Sequence, residues 1–99
     1  MHMGDKMEQH NIILNKHNLI LILDKEKEHW FLLFPKYGQY ASGSFNDNGL
    51  ERIHHPIRVG TRQYALVLDC NDDGTEWESF SFWDEKKQLY IDTAQGKIN

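Results

Sequence analysis

Three short hydrophobic runs constrain this chain more than any other feature. They are Leu-Ile-Leu-Ile-Leu at 19–23, Trp-Phe-Leu-Leu-Phe at 30–34 and Tyr-Ala-Leu-Val-Leu at 64–68. Such runs are short for a helix and ordinary for a strand. None alternates apolar with polar residues, so each reads as a strand that needs cover on both faces. A single open sheet leaves one face in water. The runs therefore call for two packed layers, a small closed barrel or a dimer interface. With 99 residues the chain fits one domain with a modest core, stable by roughly 5–10 kcal/mol.

The punctuation between the runs supports strands. Residues 1–10 are polar and read as a flexible leading segment, with a single β domain over 11–99. Ile12, Ile13 and Leu14 precede a turn at 15–18. The charged stretch Asp-Lys-Glu-Lys-Glu at 24–28 leads into the second run, which Pro35 stops. Asp24 suits a helix cap, so a helix over 24–34 competes with a hairpin. The bulky, aromatic content of 30–34 favours the hairpin. The middle, 36–62, is broken by glycines and Pro56. Tyr37, Tyr40 and Phe45 mark a short edge strand, Asn-Asp-Asn-Gly at 46–49 a turn, and Ile53, Ile57 and Val59 another extended piece. A helical turn near 50–54 is the one helical alternative there. The last third is a three-stranded meander: the third run, a turn at 71–74, an alternating strand at 76–83, a turn at 84–87 and a strand at 88–91. The expected fold is mainly β, a small antiparallel sandwich or barrel built from two β-meanders with at most one short helix. The echo between 44–49 and 69–74 needs only two similar turns, not a repeat.

Charge is unevenly placed. Between Gln63 and Glu85 there is no Lys or Arg, yet seven of the 15 acids fall there. A one-signed field of this kind steers a basic partner. The ordinary alternative is a solvated face with turn residues chosen for geometry. Asp-Cys-Asn-Asp-Asp-Gly at 69–74 matches the first half of a calcium loop, but the twelfth position, where a bidentate Glu belongs, is Phe80. A hairpin turn explains the segment as well, and no metal site is expected. Strand parity puts Phe80 and Phe82 on one face and Trp77, Ser79, Ser81 and Trp83 on the other. The candidate recognition surface is Asp72, Asp73, Glu76, Trp77, Glu78 and Trp83, with core packing of the tryptophans as the alternative.

Arg52, Arg58 and Arg62 form a locally basic segment. They offer an alternative anion-binding site, or they pair with the acids of the following hairpin. None of the six histidines has metal-ligand spacing, and adjacent His54 and His55 point to opposite sides of an extended chain. Cys70, the one cysteine, reads as a small buried apolar residue; flanking acids would raise its pKa and make it a poor nucleophile. No nucleophile elbow, P-loop or dinucleotide fingerprint occurs. The chain is accordingly expected to be non-enzymatic and without a cofactor. The concrete expectation is an acidic inhibitor or immunity-type protein that binds a basic protein. The alternatives are a ligand-binding β-barrel with an arginine-lined mouth and a structural subunit of a homo-oligomer, a homodimer being the simplest. A net charge of −4 argues against direct nucleic-acid binding, no run is long enough to cross a membrane as a helix, and the cysteine usage fits a soluble cytoplasmic protein.

Overall fold

The computed structural model describes residues 7–45, 52–70 and 77–92; the side chains of Trp77, Glu78 and Asp92 are outside that description. Two four-stranded antiparallel sheets follow one another along the chain. The first holds β1 (Met7–Leu14), β2 (His17–Asp24), β3 (His29–Phe34) and β4 (Gln39–Ser44), in that spatial order. The second holds β5 (Arg52–Val59), β6 (Arg62–Cys70), β7 (Trp77–Asp84) and β8 (Leu89–Asp92), again in chain order. The sheets face each other as a sandwich and do not close into a barrel.

The turns follow from local chemistry. Asn15 and Lys16, at φ 52° and 64°, make the two-residue left-handed turn whose twist matches its flanking strands. Asn tolerates that conformation, and its side-chain amide donates to the Val59 carbonyl at 3.2 Å, tying the first hairpin to the second sheet. The segment 24–28 is a turn and not the start of a helix. The Asp24 carboxylate accepts the Lys27 amide, and Glu28 closes the turn at φ 53°. Asp84 repeats the device by accepting the amides of Lys86 and Lys87, with Gln88 at φ 55°. Charged residues that would cap a helix therefore serve a four-residue hairpin loop.

One core lies between the sheets. The first contributes Ile12, Leu14, Leu19, Leu21, Leu23, Trp30 and Leu32. The second contributes Ile53, Ile57, Val59, Tyr64, Leu66, Leu68, Cys70, Phe80 and Phe82. Phe45, fully buried, donates its amide to the Glu28 carbonyl, while its own carbonyl accepts the Cys70 thiol. Trp30 lies opposite Gly43 on β4, and its indole occupies the space a side chain there would need: an added Cβ would sit 2.9 Å from it.

Several expectations change. The runs at 19–23 and 30–34 are not covered on both faces: Leu19, Leu21, Leu23, Trp30 and Leu32 are buried, while Ile20, Ile22, Phe31 and Leu33 are half-buried on the outer side. Cross-strand neighbours, Ile20 with Leu33 and Ile22 with Phe31, shield one another laterally and make a second layer unnecessary. In the third run Val67 is buried although it lies outside the shared core. Residues 7–10 are part of β1 and pair with β2, because alternation puts Glu8 and His10 on the row of Ile12 and Leu14. Arg52, Ile53 and His54 are extended, so the helical turn near 50–54 does not extend into them; the sole helical element among the described residues is a 3₁₀ turn at Pro35–Tyr37. The turns expected at 46–49 and 71–74 lie outside the described residues.

Candidate binding surface on the second sheet

The second sheet turns a face away from the core, and strand parity decides what lines it. Outward positions are Arg52, His54, Pro56 and Arg58 on β5, and Gln63, Ala65, Val67 and Asp69 on β6. β7 adds Ser79, Ser81 and Trp83, and β8 adds Tyr90. Register places Pro56, Ala65, Trp83 and Tyr90 in one row across four strands. Two low residues thus sit beside two tall aromatic ones, and the step between them is a groove of about 670 Å³. His54, Arg58, Gln63 and Glu85 also line it.

The aromatic step is held in place. The rings of Trp83 and Tyr90 meet edge to face with centroids 4.8 Å apart. The Trp83 indole N–H donates to the Glu85 carboxylate at 3.0 Å, and Glu85 also accepts from the Gln88 amide. Tyr90 is half exposed. The surface therefore presents a fixed apolar edge with one cation, Arg58, and one anion, Glu85, on its rim.

Of the residues singled out by sequence, Trp83 stands on this face. Asp72, Asp73 and Glu76 lie outside the described residues, as do the side chains of Trp77 and Glu78. The register shifts between Asp69 and Cys70, so that Trp77 stands opposite Cys70.

The three arginines do not converge. Arg52 and Arg58 share the outer face but are six residues apart, roughly 20 Å along an extended strand. Arg62 stands opposite Val59, a core residue, on the row of β6 that faces inward. Two of them pair with acids of the hairpin that follows. Arg52 meets Asp69 at 2.6 Å, and that hydrogen bond raises its pKa. Arg62 donates to both oxygens of Asp84, at 2.9 and 2.7 Å. Asp84 is 2% exposed, and burial alone would raise its pKa. The Lys87 amide, Arg62 and the Lys86 amide outweigh burial and hold the carboxyl below its ordinary range.

The remaining candidates have structural surroundings. Cys70 is buried in the core. His55 faces inward edge-on to Trp30, at 4.9 Å, and burial lowers its pKa. His17 donates from Nδ1 to the Asn15 carbonyl, which leaves Nε2 to accept the Tyr37 hydroxyl. No group of three or more His, Cys, Asp or Glu side chains among the described residues is placed to hold a metal ion. No helix in the described structure is long and apolar enough to cross a membrane. Sequence reasoning missed Tyr90 and the Pro56–Ala65 floor. Both depend on register across four strands, which the local pattern does not encode. The chain matches no protein-family model, no curated protein and no solved structure.

Proposed function

We propose that this protein is a small non-enzymatic binding module that recognises a protein partner through the outer face of its second sheet. The observation that carries the reading is the Trp83–Tyr90 step beside the low Pro56–Ala65 floor. Fixed aromatic side chains bordering a groove are the usual anchors of protein interfaces. The acids Asp72, Asp73, Glu76 and Glu78 follow β6 in sequence and favour a basic partner, as in an inhibitor or immunity-type protein. Asp69 and Asp84 do not add to that field, because Arg52 and Arg62 neutralise them. The test is affinity capture from the native host with the wild type and with Trp83→Ala/Tyr90→Ala. A partner retained by the wild type, released by salt and lost by the double variant supports the reading. Equal retention by both overturns it.

A second reading, self-association, rests on a different surface. Ile20, Leu33 and Tyr40 lie in one row on the outer face of the first sheet, beside the Ile22–Phe31 pair, and Tyr40 is 65% exposed. Sedimentation at several concentrations distinguishes the two: a dimer lost in Phe31→Lys supports self-association, and a monomer throughout removes it.

A further inference from the structure

At the end of the sandwich where the first hairpin of each sheet turns, β1 and the β7–β8 hairpin border a cleft of about 380 Å³. Three cations line it: Lys16 from the first turn, Arg62 from the start of β6 and Lys87 from the last turn. Its walls are apolar, made by Ile13, Leu14 and Ile91 together with the Tyr64 ring, over which the Arg62 guanidinium lies at 5.7 Å. The one carboxylate among the described residues of the cleft, Asp84, is spent on Arg62 and on two backbone amides. Neither lysine has an ion-pair partner among the described residues. The Arg62 Nε is buried and has no hydrogen-bond partner there either. Nη2 supplies both bonds to Asp84, so one ion pair leaves part of the guanidinium unused. A buried donor without an acceptor is unfavourable, and a ligand oxygen would relieve that cost.

We propose that this cleft binds a small amphipathic carboxylate, its head between Lys16, Arg62 and Lys87 and its hydrocarbon tail against Ile13, Leu14 and Ile91. Cations at the mouth select the charge, and the apolar walls require a tail that a bare anion lacks. The cleft and the Trp83–Tyr90 step lie back to back on the second sheet: Asp84 and Ile91 adjoin Trp83 and Tyr90 in the chain but belong to the inward rows, and Tyr64 borders both.

Sodium octanoate is the probe, titrated against the full chain and followed by amide NMR shifts and calorimetry. Sodium acetate tests the head alone and 1-octanol the tail alone. Saturable octanoate binding that shifts Lys16, Arg62 and Lys87, with both controls weaker, is the expected result. Lys16→Gln/Lys87→Gln removes only exposed charges, so its thermal midpoint should match the wild type while octanoate affinity falls about tenfold. Absence of saturable shifts in the cleft overturns the proposal, and so does octanoate binding that the double variant leaves unchanged. Acetate or octanol binding as tightly as octanoate overturns the requirement for both head and tail.

Discussion

The first hairpin of each sheet follows one plan. An eight-residue strand, β1 or β5, reaches a two-residue turn that begins with a left-handed residue, Asn15 or Gly60, and returns as the long strand β2 or β6. What the two sheets bury is different. The inner face of the first is mainly aliphatic, and the one fully buried ring on its described strands, Trp30, fits only because Gly43 has no side chain. The second buries Phe80 and Phe82, half-buries His55, and ends on the Arg62–Asp84 ion pair. Their outer faces invert the contrast. The first exposes hydrocarbon, whereas the second exposes a charge pair and a groove with an aromatic edge. The first sheet is therefore governed by shape and the second by charge as well, and the two should fail under different insults.

Arg62→Ala is the sharpest way to break the second sheet. It strands the Asp84 carboxylate in a 2% exposed site, and unfolding in urea should show a loss of about 3 kcal/mol. Arg62→Met/Asp84→Asn should recover most of that loss, because it removes both charges together while the Asn oxygen can still accept the Lys86 and Lys87 amides. A double variant as unstable as Arg62→Ala would show that shape, not charge, governs this end of the sandwich. Lowering the pH acts on the same group. The folded-state pKa of Asp84 is depressed, so its contribution is present above the unfolded value of about 4 and is lost as pH falls through the lower folded value.

Gly43→Ala is the matching attack on the first sheet. The new methyl would lie 2.9 Å from the indole of a fully buried tryptophan, so the ring or the edge strand must shift. Chemical denaturation should register a cost of about 2 kcal/mol, within the usual range for overpacking. This loss should not depend on pH between 5 and 8. Pairing it with Trp30→Leu should reduce the penalty, and an additive double variant would deny the contact.

The smallest effect sharpens the comparison between neutral and mildly acid solution. Burial depresses the His55 pKa, so the unfolded chain takes up protons first, near its ordinary value of about 6.5. Stability is therefore complete above that value and declines as pH falls through the folded value. Amide protection factors in β5 and β6, normalised for the intrinsic pH dependence of exchange, should fall modestly between pH 7.5 and 5, and His55→Phe should flatten the trend. An unchanged slope in that variant would assign the acid sensitivity elsewhere.

Much of the architecture was legible because strand signals and turn signals agreed. Asn15-Lys16 and the Asp24 and Asp84 loops delimit strands wherever the sequence alternates or runs apolar. The burial of 19–23 and 30–34 was not legible. Hydrophobicity at Ile20 and Phe31 is the same whether a second layer or only a cross-strand neighbour covers them. Trp83 was found by alternation along β7. Tyr90 was not, since its place beside Trp83 is a property of the ladder and not of its own strand. Arginines close in sequence suggested a shared site, but parity puts Arg58 and Arg62 on opposite faces, and the intervening turn does not reunite them.

Among the described residues no strand crosses from one sheet to the other. Every ladder pair joins strands that are consecutive in the chain, so each hairpin closes over a short loop at small entropic cost and the average sequence separation of contacts stays low for an all-β protein. Yet neither sheet can cover its own inner face: Leu21 needs a partner layer as much as Phe82 does. The ladder hydrogen bonds are local and the hydrophobic gain is shared. The molecule is thus two units by its strand ladders and one unit by its core.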